Sequence, residues 1–124
     1  MIRSKGLAHI QLTVRDLERS LAFYTRVFGV KECFREGGHM VFLNTPASED
    51  LITLNQDPGD ARRAGDNGGI NHFGFRLAEA ADMDAAVREV QAAGGTLISR
   101  GEHAPGVPFA YVRDPDGYLI ELLR

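Results

Sequence analysis

The feature that most constrains the fold is an internal repeat, because the second half of the chain reproduces the pattern of the first. Residues 70–77 align with residues 7–14 when His72 is placed on His9, and both segments alternate between apolar and polar side chains. Such alternation is typical of a strand with one buried face. In each half a stretch with helical spacing and then three short apolar segments follow, which predicts two β-α-β-β-β units. Because a half of about 60 residues is marginally stable alone, we expect the two to complete one structure together.

We predict an α+β fold in a single domain of 124 residues. The domain divides into a first module at about 5–56, a linker at about 57–68 and a second module at about 69–124. The linker mixes aspartate, proline and glycine without periodicity and is predicted to be a mobile loop. Helices are predicted from Asp16, as the N-cap, to Gly29, and at residues 82–93. Strands are predicted at residues 7–14, 31–35, 39–44, 51–55, 70–77, 96–99, 109–113 and 118–123.

The last strand carries one carboxylate, Glu121, within an apolar run. The segment Asp114-Pro115-Asp116-Gly117 before it has the composition of a tight turn, which would set the register of the last hairpin. Glu121 then shares a face with Leu119 and Leu123. A carboxylate in a half-buried strand costs free energy unless another group compensates its charge. The sequence therefore raises the question of what Glu121 pairs with.

Two histidines are candidates for that partnership. The strand alternation puts His9 and His72 on the face opposite to the helix in both halves, so two curved sheets facing one another would direct both rings into one groove. Two histidines and one carboxylate from separate strands would form a facial metal triad with open positions for water or substrate. The alternatives are that each histidine is simply solvated or hydrogen-bonded, and that Glu121 is an edge-strand charge that limits aggregation.

Composition excludes several classes of protein. The hydrophobic fraction of 44% and the charged fraction of 25% are those of an ordinary globular chain. A net charge of −3, without a basic stretch, argues against a nucleic-acid partner. We expect no membrane span, since no apolar run approaches the roughly 20 residues that one needs. The single cysteine, Cys33, cannot form an internal disulfide, which favours a cytoplasmic location.

The sequence resembles the vicinal oxygen chelate superfamily, which includes glyoxalases, bleomycin-resistance proteins, extradiol dioxygenases and fosfomycin-resistance enzymes. The segments that carry the resemblance are residues 7–17 with Phe23-Tyr24 and Phe28-Gly29, residues 71–75, and residues 111–122. The resemblance covers essentially the whole chain. It implies paired βαβββ modules that curve into an open, mixed, barrel-like cavity with a divalent metal ion inside.

By the same resemblance, His9, His72 and Glu121 match the metal ligands of the family. The metal would be Fe, Mn, Ni, Co or Zn, and it would hold a small molecule through two of its oxygens. Many relatives are homodimers, and in several of them the two modules that form one site come from different chains. A homodimer is therefore expected here, with sites supplied by one chain or by two.

Departures from the family pattern reduce the number of reactions that we expect of this chain. Thr53 occupies the place where glyoxalase I has a fourth, carboxylate ligand, so isomerisation of methylglyoxal is disfavoured. Gln11 occupies the place of a catalytic threonine in the fosfomycin thiol transferases. Tyr111 matches a cavity-facing tyrosine of those enzymes and is our candidate catalytic residue, a base that would move a proton.

Further residues have the strand phase expected of a cavity wall, although aromatic side chains on strands usually serve as core. The candidates for substrate binding are Gln11, Phe42, Leu51, Thr53, Phe109, Tyr111 and Leu119. His103 is predicted in a loop, where it is either a general base over the cavity or a solvated side chain. Arg62 and Arg63 in the linker are either a grip for an anionic substrate or solvated surface charges.

Three functions remain open on these grounds. The first is a metal-dependent enzyme, a lyase, isomerase or dioxygenase, acting on a small oxygen-rich molecule. The second is a metal-free protein of the bleomycin-resistance kind that sequesters a flat compound. The third is a relative whose metal site is vestigial.

Overall fold

The computed structural model describes residues 1–78 and 81–124. Its helices are α1 (Leu17–Phe28) and α2 (Met83–Ala92), with a short 3₁₀ helix at Ala61–Arg63. Its strands are β1 (Ile10–Thr13), β2 (Lys31–Glu36), β3 (Met40–Asn44), β4 (Ile52–Asn55), β5 (Phe73–Arg76), β6 (Thr96–Ala104), β7 (Val107–Arg113) and β8 (Leu119–Leu123). Each half follows the order β-α-β-β-β, so the predicted α+β fold of two repeated modules is confirmed.

Each module contributes one four-stranded mixed sheet. The strand orders are β1-β4-β3-β2 and β5-β8-β7-β6. In both sheets the first strand pairs in parallel with the last strand of its module, and the remaining pairs are antiparallel. The parallel pair requires a long crossover connection, and the helix of the module forms part of it. The repeat in the sequence is therefore a repeat of topology and register.

Capping residues set the ends of α1 as predicted. The Asp16 side chain accepts a hydrogen bond from the backbone N–H of Arg19 at 2.9 Å, which satisfies a free donor of the first turn. Gly29 ends the helix with φ of 67°, a left-handed conformation that glycine adopts without steric cost. Between the caps, Phe23 and Tyr24 are fully buried in a core that both modules share.

The hairpin between β7 and β8 closes through the predicted turn, but this turn also joins the modules. Asp114 Oδ1 accepts hydrogen bonds at 2.9 Å from the backbone N–H groups of residues 116, 117 and 118. Its Oδ2 accepts from the Tyr24 hydroxyl of α1 at 2.8 Å. Burial raises the pKa of the Asp114 carboxyl, against the opposing effect of these donors. The turn is therefore anchored in the first module as well as in its own hairpin.

Asp116, in the same turn, also connects the second module to the first. Its carboxylate is inaccessible to solvent and lies 2.9 Å from a guanidinium nitrogen of Arg19 and 3.4 Å from one of Arg15. It also accepts from the hydroxyl of Ser20, a fully buried residue, at 3.1 Å. These three partners come from the first module, so a turn residue near the end of the chain ties the two modules together.

Several predicted boundaries were wrong, and two of the differences matter for the site. β1 and β5 begin at Ile10 and Phe73, so His9 and His72 immediately precede their strands instead of lying within them. β6 was predicted to end at residue 99 but continues to Ala104, so His103 lies in a strand and not in a loop. The linker was predicted to lack structure but contains the 3₁₀ helix. In the part of the chain that is described, no helix has the length and apolarity that crossing a membrane requires.

Candidate functional site

The chemistry-bearing residues of the second module converge on Glu121. Its Oε2 lies 3.2 Å from Nε2 of His72, and its Oε1 lies 2.6 Å from Nε2 of His103. The Glu121 side chain is only 13% exposed, whereas that of His103 is 50% exposed. The partners of the lone carboxylate are thus two imidazole rings, one from the segment before β5 and one from β6.

Strand register explains why these groups meet. Gly74 of β5 lies opposite Glu121 of the parallel strand β8. A Cβ atom on Gly74 would come within 3.5 Å of the Cβ of Glu121 and 3.2 Å of its carbonyl oxygen. Gly74 therefore allows the close approach of β5 and β8 beside Glu121, and His72 lies two residues earlier on the same face.

Aromatic rings form one wall of this cluster. Tyr111 of β7 is the register partner of Glu121, and its ring centroid lies 5.1 Å from that of His72 in an edge-to-face arrangement. Phe109 lies two residues earlier on the same face, with its centroid 5.5 Å from that of Tyr111. Leu119 shares the face of Glu121 and is half-buried. The predicted candidates Phe109, Tyr111 and Leu119 therefore line one face together with Glu121.

These contacts shift the pKa values of Glu121 and Tyr111. The hydrogen bond to His103, together with the neighbouring His72 ring, holds the pKa of the Glu121 carboxyl below its usual value although burial acts in the opposite direction. Partial burial and the negative charge of Glu121 raise the pKa of the Tyr111 phenol. A phenol that keeps its proton at neutral pH is suited to donate a hydrogen bond. It is less suited to act as the base that the sequence suggested.

Asn71, the neighbour of His72 in the chain, contacts the other nitrogen of its ring. Nδ1 of His72 lies 2.7 Å from Oδ1 of Asn71. An amide oxygen accepts hydrogen bonds, so this contact suits the tautomer that is protonated at Nδ1. In the neutral ring, Nε2 is then an unprotonated lone pair that faces Oε2 of Glu121. Two acceptors at 3.2 Å require either a second proton on the ring or a cation between them. The sequence offered no signal for this role of Asn71.

In the first module, the three residues at the equivalent positions of neighbouring strands are uncharged. Thr53 of β4 lies between Gln11 of β1 and Phe42 of β3, as Glu121 lies between Gly74 and Tyr111. Thr53 is fully buried, and its hydroxyl oxygen finds no hydrogen-bond partner among the described residues. Thr53 is thus the counterpart of Glu121 in the repeat, and a hydroxyl replaces a carboxylate there.

His9 lies apart from the cluster of the second module. It is exposed, and with Leu51 it lines a cleft of about 370 Å³ between the edges of β1 and β5. Across residues 1–78 and 81–124, no three or more His, Cys, Asp or Glu side chains are arranged so that they could hold a metal ion within one chain. The set of His9, His72 and Glu121 therefore stays a prediction, and an isolated chain brings only His72 and Glu121 together.

A second cleft, of about 280 Å³, runs along β1 on the side of the linker. Gln11 and Arg63 line it together with Asp60, which accepts a hydrogen bond from Thr13 at 2.8 Å. Arg63 lies 3.6 Å from Asp60, and Arg62 is exposed. Of the two linker arginines, only Arg63 contributes to the wall of this cleft.

Comparison with known proteins identifies the relatives of this chain. The model of the Glyoxalase/Bleomycin resistance protein/Dioxygenase superfamily matches residues 6–122 of the chain. An uncharacterized protein from Pseudomonas aeruginosa is 31% identical over 122 residues, which are 95% of this chain and 87% of that protein. A lactoylglutathione lyase from Salmonella typhimurium is 31% identical over 127 residues, covering 95% of this chain and 91% of the enzyme.

Solved structures share the architecture. A fosfomycin resistance protein from Listeria monocytogenes, crystallised with Mn(II) and 1S,2S-dihydroxypropylphosphonic acid, superposes with a TM-score of 0.77. The superposition covers 98% of this chain and 90% of the other, and the two sequences are 24% identical. At that identity the likeness shows a shared fold.

Proposed function

The chain belongs to the glyoxalase/bleomycin resistance protein/dioxygenase superfamily, and from that premise we propose that it is a divalent-metal-dependent enzyme for a small molecule with two adjacent oxygens. His72 and Glu121 are proposed as two of the metal ligands. The proposal does not extend to the glyoxalase I reaction, because Thr53 offers a hydroxyl where that reaction uses a carboxylate.

One observation carries the proposal: Nε2 of His72 and Oε2 of Glu121 face one another at 3.2 Å. At this separation, one divalent ion would be within reach of both atoms at the roughly 2.0–2.2 Å of zinc bonds to nitrogen and oxygen. Imidazole and carboxylate together suit Fe, Mn, Ni, Co and Zn. Asn71 holds the His72 ring through Nδ1, as partners in the outer shell of metal sites do. The donor set therefore fits a divalent metal ion.

Other residues of the chain would assist a bound metal in stabilising the substrate. A bound divalent metal would supply electrophilic stabilisation of negative charge on a substrate oxygen. Tyr111 stays protonated beside Glu121 and can donate a hydrogen bond to that oxygen. Phe109 and Leu119 provide apolar walls that exclude water from the face on which charge develops.

Metal uptake tests this proposal. Protein purified without chelator and equilibrated with Mn(II), Co(II) or Zn(II) is expected to retain about one metal ion per chain. His72→Ala and Glu121→Ala are expected to lose that ion, since each removes a ligand. His39→Ala is the matched control, because His39 is an exposed histidine in the turn before β3. Elemental analysis after gel filtration measures the stoichiometry of all four proteins.

The outcome also separates the competing functions. Wild-type protein that takes up none of these ions would contradict the proposal. Calorimetric binding of a flat aromatic compound that is unaffected by EDTA and by His72→Ala would instead support metal-free sequestration. For the loaded enzyme, a compound with two adjacent oxygens is expected to displace bound water, which lowers the water-proton relaxation rate of the Mn(II) form.

We further propose that a homodimer supplies the third ligand, His9, from the second copy of the chain. His9 is exposed in the isolated chain and belongs to no metal-holding group among the described residues. A symmetric dimer can bring the exposed edge of one first module to the second module of the other copy, twice.

Mixed dimers test this arrangement. His9→Ala and Glu121→Ala proteins each lack one ligand at every site and are expected to bind no metal. After the two are unfolded and refolded together, random pairing makes about half of the dimers mixed and restores one of their two sites, so about a quarter of all sites bind metal. Ligands drawn from a single chain would leave the mixture as inactive in metal binding as its components.

A further inference from the structure

We propose that His103 is a positioning residue for the Glu121 carboxylate, which it restricts to binding the metal through Oε2 alone. This inference rests on the proposed metal site. His103 would donate a hydrogen bond from Nε2 to Oε1, so that only the other oxygen remains available as a ligand. A carboxylate that binds through one oxygen leaves one more coordination position for the substrate than a carboxylate that binds through both.

The hydrogen bond itself is the first support. Nε2 of His103 lies 2.6 Å from Oε1, and the metal-facing contact from His72 reaches the other oxygen. The two rings therefore divide the two oxygens of one carboxylate. Because Glu121 is 13% exposed, water has little access to replace a lost donor at Oε1.

The path of β6 is the second support. The pairing of β6 with β7 shifts between Glu102, opposite Pro108, and Ala104, opposite Val107. His103 is the extra residue at this irregularity. A bulge of this kind re-aims the side chain of its extra residue, and such bulges often lie beside active sites. Gly101 lies opposite Phe109, so the alternation of β6 puts His103 on the face of Phe109, and the irregularity lies where the ring reaches across β7 to β8.

Stacking then holds the ring in place. The imidazole of His103 lies parallel to the Phe109 ring, with a centroid distance of 4.3 Å and an interplanar angle of 18°. Gly101 makes room for this pair, since a Cβ atom there would come within 3.2 Å of the Phe109 ring. A side chain that is half-exposed is thus fixed on one face by an aromatic ring and at one nitrogen by a carboxylate.

Co(II) binding and the visible absorption of the Co(II) form test the inference. The sharpest comparison is His103→Gln with His103→Asn, two amides of which only the longer places an N–H near the position of Nε2. We expect His103→Asn to weaken Co(II) binding roughly 10- to 100-fold and to lower the intensity of the visible bands as the coordination number rises. His103→Gln is expected to keep affinity and spectrum close to those of wild type, and His39→Ala to match wild type.

Each outcome bears on the inference. Wild-type affinity and spectrum in His103→Asn would overturn it while leaving the metal site of His72 and Glu121 intact. An equal loss of Co(II) affinity in both amide variants, with an unchanged circular dichroism spectrum, would also overturn it. A hydrogen-bond donor near the position of Nε2 would then not be enough to preserve metal binding. Wild-type protein that binds no Co(II) would remove the proposed function and this inference together.

Discussion

Replacing Asp116 with alanine is expected to lower the free energy of unfolding by about 3 kcal/mol, because it leaves a buried hydroxyl and a backbone N–H without their acceptor and opens a cavity. The carboxylate has no solvent-accessible surface and accepts from Arg15, Arg19 and Ser20. It also accepts from the backbone N–H of Arg15 at 3.2 Å. Alanine satisfies none of these donors and leaves a cavity at the contact between the modules.

The size of the loss depends on how well each orphaned donor can find water. The side chains of Arg15 and Arg19 are 51% and 46% exposed, so both guanidinium groups stay hydrated without Asp116, and their ion pairs add little. The Ser20 hydroxyl cannot be hydrated in the same way, because Ser20 is fully buried. A buried donor without an acceptor costs about 1–3 kcal/mol, which makes Ser20 a large part of the effect.

Urea denaturation at neutral pH measures this difference. Asp116→Asn keeps the shape and one accepting oxygen, so we expect it to fall between alanine and wild type. Glu36→Ala, at an exposed carboxylate of β2, is the control and is expected to stay within about 0.5 kcal/mol of wild type. A loss below about 1 kcal/mol in Asp116→Ala would show that the turn does not join the modules energetically.

The repeat and the helix ends could be predicted because their signals are local. Asp16 and Gly29 cap α1 as expected, since capping depends on residues three or four positions away. The face that groups Leu119 with Glu121 could be predicted in the same way, from the two-residue period of a strand. Such features need no knowledge of the rest of the chain.

The connection through Asp116 could not be predicted, because its partners Arg15, Arg19 and Ser20 lie 96 to 101 positions earlier in the sequence. The turn composition explained Asp116 fully without them, so nothing signalled a second role. The strand that carries His103 was missed for a related reason, because His103 was a candidate residue but was predicted in a loop. The glycines and proline around it are typical of a loop, while the extension of β6 to Ala104 depends on the pairing of β6 with β7.

The face that carries Glu121 was predictable in part, and the limit is physical. Alternation along a strand identifies which side chains share a face, so Glu121 was grouped with Leu119 and Leu123. Alternation does not say which sheets face one another. The relation of His9 to Glu121 depends on the packing of modules and of whole chains, which is set by surfaces and not by the period of a strand.

Replacing Gly95 with alanine is the second change expected to have a large effect, and here the cause is steric. A Cβ atom at residue 95 would lie 2.6 Å from the carbonyl oxygen of Arg113, 2.6 Å from Cγ1 of Val90 and 2.9 Å from Cε2 of Phe23. All three distances are below those that real Cβ atoms tolerate. Val90 and Phe23 are fully buried, so neither side chain can move into solvent.

The backbone contact decides the magnitude. Arg113 belongs to β7 and pairs with Thr96, the residue after Gly95, so its carbonyl cannot shift without disturbing the start of the β6–β7 ladder. Overpacking in a dense core costs typically 1–3 kcal/mol, and we expect a loss of about 3 kcal/mol because a backbone atom is among the contacts. Phe23 belongs to the first module, so the change also strains the contact between the two modules.

Gly38→Ala is the matched control for this prediction. A Cβ atom at Gly38 meets nothing within 4 Å, and Gly38 has no positive φ. Alanine there is expected to leave stability unchanged or to raise it by about 0.5 kcal/mol, through lower entropy of the unfolded chain. Urea denaturation of both variants separates the steric effect at Gly95 from the general effect of replacing a glycine. Equal stability of the two variants would mean that the junction of α2 and β6 adapts to a side chain, and that the close packing of Phe23 on this junction is not needed for the fold.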